Sequence, residues 1–434
     1  MLKLIVLDPG HFHAALLQKT MYPDIDPTVR VYAEDGPELA DYLKKIESYN
    51  ARDPSPTAWR MDVRAGSDFL DRFSADKAGD VVVIAGNNRR KTEYIMRAVD
   101  AGMHVLADKP MAIDARGFDS LRRAFADAEA RRVLLYDIMT ERHEITTMLQ
   151  KAFSRIPSVF GELLPGSVQE PSVVKESVHH FAKLVSGAPV KRPPWFFDVE
   201  QQGEGLVDIT THLVDLVQWE CFPGARLDFD ADIRILGAKR WPTGISPVQF
   251  AQLTQLQSFP DYLRKDVHEG SLHVYANGEI DYRIKGVHAK VRVLWNFEAP
   301  AGAGDTHYSV LRGSKANLVI RQGAAEAWQP VLYIEAATST ATAELPSALE
   351  HAMTEVRAAY PGIGVERFGQ EWRVVVPQSY HIGHEAHFAQ VAVEFLRYVG
   401  EGALPAWEVP GMLAKYRTTT SALALARDGS RRTS

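Results

Sequence analysis

The sequence of 434 residues predicts an α/β protein in which a doubly wound parallel sheet is followed by an α/β domain on a large open, mostly antiparallel sheet. Three observations predict this class. Apolar strand-like runs alternate with amphipathic helical segments up to about residue 140. Strand-like segments then follow one another, with hairpin signals such as Asn277-Gly278. The chain finally returns to helix.

The first part is built from short apolar runs separated by helices. Its strand candidates are "LKLIVL", "TVRVYAE", "DVVVIAG", "MHVLADKP" and "RVLLYDIM". Near-continuous apolar runs are typical of parallel strands that are buried on both faces. The segment "FDSLRRAFADAEARR" predicts a helix because Phe118, Leu121, Phe125 and Ala128 fall on one face. The polar stretch "ESYNARDPSPTAW" predicts a surface loop.

The second part contains alternating segments that predict the antiparallel sheet. They include "DADIRILGAKRW", "SLHVYANGEIDYRIKG", "HAKVRVLWNFEAP", "HYSVLRGSKANLVIRQG" and "WRVVVP". The helical segments "HFAQVAVEFLRYVGEG" and "MLAKYRTTTSALALARDG" close the chain. We therefore expect a first domain over residues 1–140 and a second over 141–405, with the helix near 408–428 packing back onto or near the first.

The composition narrows the classes of partner. A net charge of -6 with mixed signs argues against nucleic acid or a membrane surface as the main partner. No apolar run approaches the length of a membrane span. The single cysteine, Cys221, rules out an internal disulfide and fits a reducing compartment. The first strand begins at residue 2, so we expect a cytoplasmic protein, although a signal peptide removed before residue 1 stays open.

The stretch "DPGHFH", residues 8–13, lies between the first strand and the first helix. In a doubly wound sheet, glycines in this turn often hold a dinucleotide pyrophosphate. Here only Gly10 is a glycine, and Asp8 and His13 stand where small residues are expected. Asp8 would repel a pyrophosphate unless its side chain turns away, for example to cap the turn, while His11 and His13 can supply donors. The stretch is either an altered nucleotide site or only a strand followed by a helix.

Two further stretches carry groups that suit chemistry. "ADKP" places Lys109 at the end of a buried strand, where ligands of open α/β sheets bind; the alternative is a surface lysine. "GEGLVDITTHLVDLVQW", residues 203–219, puts Asp208 and His212 four residues apart, so that on a helix they are neighbours on one face. A carboxylate beside an imidazole suits a general base, and the alternative is an ordinary polar helix face.

Together, "ADKP" and the glycine-rich "GEGLVDITTH" resemble the glucose–fructose oxidoreductase / inositol dehydrogenase family (Gfo/Idh/MocA). That family usually has Glu-Lys-Pro in the first motif, and its second motif resembles Gly-Gly-x-x-x-Asp-x-Gly-x-His. "DVVVIAGNN" and "AVDAGMHVLADKP" also look like the strand, helix and strand before the family's lysine. The resemblance spans residues 1 to about 220 and is specific at 80–112 and 203–219. Beyond residue 220 it is only architectural.

The resemblance implies roles for individual residues. Lys109 matches the family's catalytic lysine, and Asp208 and His212 match its substrate-side aspartate and histidine. Glu34 ends strand two, where the family has an acid for the adenosine ribose, which implies NAD over NADP; the alternative is that Glu34 begins a turn. The implied cofactor-binding residues are Asp8, Gly10, His11, Phe12, His13, Glu34, Gly86, Asn87, Asn88, Lys91, Asp108 and Lys109.

The sequence departs from the family pattern outside the opening loop as well. Gly86-Asn87 stands where the family usually has Thr-Pro, and Lys91 stands where it commonly has a histidine. The downstream motifs, rather than the lone glycine, therefore carry the interpretation of the opening loop as an altered nucleotide site.

Substrate contacts are expected from Arg142, His179, His180 and Trp195. Trp195 could stack on a sugar or could pin its loop to the core. His179 and His180 do not predict a metal site, because adjacent residues do not share a face of a helix or strand. No metal is therefore expected.

The resemblance implies an NAD-dependent oxidoreductase that moves a hydride between a secondary hydroxyl of a sugar, glycoside or cyclitol and the nicotinamide. One alternative is a glycosidase that retains NAD, oxidises a hydroxyl transiently and expels the aglycone by elimination. Another is a non-catalytic sensor or scaffold with weakened cofactor binding, which the altered turn would favour. The outer face of the family's second sheet commonly forms a subunit interface, so a homo-oligomer, a dimer or tetramer, is also implied.

Overall fold

The computed structural model describes residues 1–185 and 188–432. Its first sheet consists of parallel strands in the order β3-β2-β1-β4-β5-β6. In this doubly wound order, the ligand crevice opens beyond the carboxyl ends of the strands, where the order reverses between β1 and β4. The strands are β1 (Leu4–Leu7), β2 (Thr28–Ala33), β3 (Arg60–Ala65), β4 (Val81–Ile84), β5 (His104–Asp108) and β6 (Leu135–Ile138).

Helices cover both faces of this sheet. They are α1 (His13–Leu16), α2 (Pro37–Ala51), α3 (Phe69–Asp76), α4 (Asn88–Asp100) and α5 (Ala115–Arg131). The expected surface loop "ESYNARDPSPTAW" is wrong in its first residues, which lie in α2 because Tyr49 packs into the core. Strand β3 was not anticipated: it is a polar, half-exposed strand at the sheet edge, where an apolar run is not required.

The second sheet is mixed and mostly antiparallel, in the order β10-β12-β13-β7-β14-β15-β16-β18-β17, with β11 paired to β12. Within it only the β13–β7 pair is parallel, in the part of the chain described. The predicted fold class is therefore confirmed. The strands are β7 (Val173–Ala182), β8 (Leu184–Val185), β9 (Ala188–Pro189), β10 (Ile233–Ile245), β11 (Val267–His268), β12 (Ser271–Ile284), β13 (Val287–Glu298), β14 (Thr306–Arg312), β15 (Ala316–Arg321), β16 (Val331–Ala336), β17 (Gly364–Phe368) and β18 (Glu371–Val375), of which β8 and β9 pair separately.

The hairpin signal at Asn277-Gly278 is wrong. Both residues lie inside β12, and the turn to β13 falls instead at Lys285 and Gly286, which have positive φ. Gly278 is needed in the strand because a Cβ there would lie 2.6 Å from the Leu206 side chain. A glycine inside a strand often marks such a close approach.

The helices of the second part cover one face of the large sheet and then return to the first. They are α6 (Ile145–Ser154), α7 (Thr210–Cys221), α8 (Pro247–Thr254), α9 (Ser339–Ala359), α10 (His384–Glu401) and α11 (Glu408–Arg432). Phe388 and Phe395 of α10 and Tyr416 of α11 complete the core around the first sheet. None of the helices in the described ranges is long and apolar enough to cross a membrane.

Candidate active site

Lys109 and Asp208 meet at the junction of the two parts. Lys109 follows the carboxyl end of β5, and its ammonium donates a hydrogen bond of 2.7 Å to Oδ1 of Asp208. The other carboxylate oxygen of Asp208 accepts a hydrogen bond of 3.1 Å from Gln202. Both side chains of the pair are less than a tenth exposed, at 7% and 8%. The two motifs that were read separately in the sequence therefore form one charged pair.

His212 lies in the first turn of α7, but it is not bonded to Asp208 as expected. The helix begins at Thr210, so Asp208 belongs to the preceding turn and points to Lys109 instead. Nδ1 of His212 is buried and has no hydrogen-bond partner among the described residues. Burial, together with the charge of Lys109, lowers the pKa of His212 well below its ordinary value. The imidazole is therefore neutral near pH 7 and is able to accept a proton.

The opening loop turns the charge of Asp8 toward α4. Asp8 has a φ of +49°, and its carboxylate accepts a hydrogen bond of 2.6 Å from the Tyr94 hydroxyl. Burial raises the pKa of Asp8. Of the two expected orientations, the structure contains the one in which the side chain is engaged within the protein.

The loops after β1 and β4 touch each other at Gly86. A Cβ on Gly86 would lie 2.2 Å from the carbonyl oxygen of Asp8, whereas a Cβ on Gly10 would lie 3.4 Å from Cζ2 of Trp195. Between these two loops, the tighter backbone approach is thus at Gly86. Helix α1 after the loop is only one turn long and continues as a 3-10 turn over Leu17–Lys19.

His11 and His13 both point at the carboxylate of Asp108. Nδ1 of His13 lies 2.9 Å from Oδ2 of Asp108, and Nδ1 of His11 lies 3.6 Å from the same oxygen. Burial lowers the pKa of both histidines well below the ordinary value. Phe12 lies between the two histidines in the sequence, and its ring centroid is 4.4 Å from the centroid of each imidazole. The crevice end of β5 is therefore lined by aromatic and imidazole rings.

The turn between β4 and α4 is held by the second part of the chain. Asn87 donates a side-chain hydrogen bond of 2.8 Å to Gln201, and Asn88 donates one of 2.7 Å to the carbonyl of Gln202. The ammonium of Lys91 donates a hydrogen bond of 2.7 Å to the carbonyl oxygen of Asp108, and burial lowers the pKa of Lys91 to about 8. These three predicted cofactor residues hold the crevice loops together in the structure.

Glu34 follows β2 at the outer end of the crevice. Its carboxylate is 61% exposed and lies 3.4 Å from the guanidinium of Arg90 on α4. Arg90 also lies over the ring of Tyr94, 5.0 Å from its centroid. At this strand end the carboxylate is thus exposed and paired with Arg90.

The predicted substrate residues fall into two groups. His179 and His180 on β7 bind opposite oxygens of Asp305 at 3.1 Å, and His179 stacks on Trp295 at 5.2 Å between centroids. Trp195 lies in the short helix Pro194–Phe197 and reaches Gly10 of the other part. These side chains form one wall of the junction.

Arg142 belongs to a different environment. Its guanidinium makes two bonds of 2.7 Å to Asp215 and one of 2.8 Å to Glu408 of α11, and it is buried. With its donors held by carboxylates, Arg142 is left out of the function proposed below.

Several groups near Lys109 were missed in the sequence. Gln202 precedes the recognised motif by one residue, and Asp305 lies in the loop before β14, which no motif marks. Arg192 is buried and donates to the carbonyls of Phe181 and His180. These residues become neighbours only through the fold of the second sheet.

Family models match both parts of the chain. The model described as "Oxidoreductase family, NAD-binding Rossmann fold" matches residues 36–136. The model described as "Putative oxidoreductase C terminal domain" matches residues 149–427, more than half of the chain. Fold and matches together define an oxidoreductase whose first part has the Rossmann fold of the NAD-binding family. The protein belongs to the Gfo/Idh/MocA oxidoreductase family, which confirms the resemblance seen in the motifs.

Solved structures agree with this assignment. A "putative oxidoreductase" from Parabacteroides merdae ATCC 43184 is 53% identical, with a TM-score of 0.97 over 99% of this chain and 98% of that chain. Levoglucosan dehydrogenase in complex with NADH and levoglucosan shares the fold at 14% identity and a TM-score of 0.60, covering 98% and 97% of the two chains. A 3-ketoreductase from Actinomadura kijaniata in complex with TDP-benzene and NADP shares the fold at 16% identity and a TM-score of 0.56, covering 98% of this chain and 97% of that chain. No match was found among curated proteins.

Proposed function

We propose that this protein is an NAD-dependent oxidoreductase that transfers a hydride between a secondary hydroxyl of a sugar, glycoside or cyclitol and the nicotinamide. The arrangement of Lys109 and His212 carries the proposal. The ammonium of Lys109 is fixed by Asp208 at 2.7 Å and is close enough to lower the pKa of His212. Alcohol oxidation needs a group that stabilises an oxygen anion and a group that accepts a proton.

The residues of the crevice fit a dinucleotide. Gly86 lets the loops after β1 and β4 meet, and the carboxylate of Asp8 is engaged by Tyr94 rather than left free to repel phosphates. Gly10 offers backbone without a side chain at the same crevice. The exposed carboxylate of Glu34 suits a ribose 2′-hydroxyl and would repel a 2′-phosphate, which supports NAD over NADP.

The residues of the chain have separate tasks in this reaction. His212 accepts the hydroxyl proton through its neutral imidazole. Lys109 donates a hydrogen bond to the same oxygen and stabilises its developing negative charge. Asp208 holds the ammonium of Lys109 in position, and Gln202 holds Asp208. NAD, when bound, supplies the acceptor for the hydride.

The class of substrate is supported by the junction wall and by structural relatives. Trp195 is half-buried and offers an aromatic face of the kind that stacks on sugar rings, while His179 is held by Asp305 and stacks on the buried Trp295. Structures with the same fold include a levoglucosan dehydrogenase and a 3-ketoreductase. We therefore propose a carbohydrate hydroxyl as the reacting group.

We also propose that the protein is a homo-oligomer formed through the outer face of the second sheet. That face carries cross-strand ion pairs, such as Arg321 with Glu371 at 2.7 Å and Arg292 with Glu176 at 3.2 Å. Light scattering at micromolar concentration should give a mass of at least two chains. A monomer would contradict this part of the proposal.

A direct test compares Lys109→Met and His212→Asn with the wild type in NADH formation on a panel of glycosides and cyclitols. We expect kcat to fall by a factor on the order of 10² or more in each variant. Lys44→Met, at an exposed position of α2, is the matched control and should keep full activity. Near-normal turnover in Lys109→Met would refute the assignment.

A further inference from the structure

His11, His13 and Asp108 form a compact group of potential metal ligands beside Lys109. One nitrogen from each histidine and one oxygen of Asp108 all lie within 4.8 Å of one another. The three side chains are largely buried, at 15%, 12% and 6% exposed. Two imidazoles and a carboxylate around one point form a donor set that transition metals favour.

The spacing of these atoms suits a tetrahedral ion. Zinc bonds of about 2.0–2.1 Å place neighbouring ligand atoms about 3.3 Å apart. The separations from Oδ2 of Asp108 are 2.9 Å to His13 and 3.6 Å to His11, which bracket this value. A hydrogen bond accounts for the contact of Asp108 with His13, but at 3.6 Å Nδ1 of His11 is beyond hydrogen-bond distance from Asp108, and it accepts only a long hydrogen bond of 3.4 Å from the backbone N–H of His13. A shared ion accounts for both.

The charges around the group leave room for a cation. Lys109 is neutralised by Asp208 at 2.7 Å, and Lys183 is neutralised by Asp305 at 2.6 Å. Lys91 donates to the carbonyl oxygen of Asp108 and leaves the carboxylate of that residue available. The nearby ammonium groups therefore have their own acceptors.

We propose that His11, His13 and Asp108 bind a divalent transition-metal cation of the zinc type. Three protein ligands leave a fourth position for an oxygen ligand, as in catalytic zinc sites. The sequence alone did not predict this site, because the two histidines come from the opening loop and Asp108 lies 95 residues after His13. The site does not depend on the hydride-transfer proposal.

The test uses the full chain, freed of metal by a chelator and titrated with Zn²⁺ or Co²⁺. We expect one equivalent of metal per chain and, for Co²⁺, the intense visible absorption of a tetrahedral site. His13→Ala and Asp108→Asn should each weaken binding by a factor of about 10² or more, and His11→Ala by about 10 or more. Melting curves without metal show whether each variant is folded.

His268→Ala is the matched control, because His268 and His273 form another histidine pair, 4.9 Å between ring centroids, away from the crevice. It should leave the stoichiometry at one. Absence of a bound equivalent in the wild type would overturn the proposal. So would unchanged binding in a folded His13→Ala variant, since the metal would then lie elsewhere.

Discussion

Two charged clusters lie at the junction between the two parts of the chain, and they differ in how completely their charges are paired. In the first cluster, Asp215 accepts from both Arg142 and Lys415, and Lys415 also reaches Asp137 at 2.7 Å. In the second, Lys109 has one carboxylate partner, Asp208, in the part of the chain described. Both clusters are buried, so burial does not separate them.

The number of partners separates the structural cluster from the candidate active site. An ammonium group has three hydrogen-bond donors. The ammonium of Lys415 contacts two carboxylates, whereas that of Lys109 contacts one, on Asp208. His212 beside it has a buried nitrogen without a partner in the described chain. The first cluster also contains buried oxygens without a partner among the residues that the structure describes, Oδ1 of Asp137 and Oε2 of Glu408, but each of its cations is held by two carboxylates. The spare donors of Lys109, beside the neutral His212, are therefore the groups that can meet a substrate.

The largest expected effect is on stability, in the cluster around Asp215. Asp215→Ala leaves Arg142 and Lys415 buried without their shared carboxylate, and we expect the free energy of unfolding to fall by about 3–5 kcal/mol. Urea unfolding followed by circular dichroism measures it. The exposed ion pair of Glu401 with Arg397 is the control, and Glu401→Ala should change stability by less than about 1 kcal/mol. Equal losses in both variants would remove the distinction.

The next effect separates function from stability in the Lys109 cluster. The double variant Lys109→Met/Asp208→Asn removes both charges together, so no unpaired charge remains buried. We expect kcat to fall by a factor on the order of 10² or more, while the free energy of unfolding changes by less than about 1.5 kcal/mol. Turnover assays and denaturant unfolding of the same preparation measure both. A loss of stability as large as in Asp215→Ala would make this cluster structural as well.

The crevice itself is tested at Gly86. In Gly86→Ala the new Cβ would meet the carbonyl oxygen of Asp8 at 2.2 Å, so the two loops must separate, at a cost of about 1–3 kcal/mol. We expect NAD affinity to fall about tenfold or more. Gly400→Ala in α10 is the control, because a Cβ there would have no heavy atom within 4 Å. Fluorescence titration with NADH compares the two variants, and an NADH affinity in Gly86→Ala equal to that in Gly400→Ala would contradict a role of this close approach in shaping the crevice.

The smallest effect is a displacement of the pH profile. Burial lowers the pKa of His212 well below 6.5, so its neutral form persists as the pH falls through that value. We expect the acidic limb of kcat/KM to lie below pH 6.5. The stability of the protein should also fall as the pH falls. Between the pKa of His212 in the folded chain and its higher pKa in the unfolded chain, the unfolded chain binds more protons, so that acid favours unfolding. An acidic limb at or above pH 6.5 that vanishes in His212→Asn would contradict the lowered pKa.

The sequence predicted those parts of the molecule that depend on local pattern. The buried strands around β4 and β5 and the position of Lys109 follow from apolar runs and a short motif. The turn predicted at Asn277-Gly278 was wrong because the glycine is required by the Leu206 side chain, which comes from another segment of the chain. Arg142 looked free for a substrate because its partner Glu408 lies 266 residues further along the chain. Contacts of this range leave no mark in local sequence.

We propose that hydride passes from a carbohydrate carbon to NAD at Lys109 and His212. The most direct measurement follows deuterium from the carbinol carbon of a labelled substrate, taken from levoglucosan and a panel of glycosides, into the nicotinamide by mass spectrometry. We expect labelled NADH with an oxidised sugar in the wild type, and neither in Lys109→Met. Free sugar released without net NADH would identify the NAD-retaining glycosidase instead, and binding of NAD without any label transfer would contradict a catalytic role for the site.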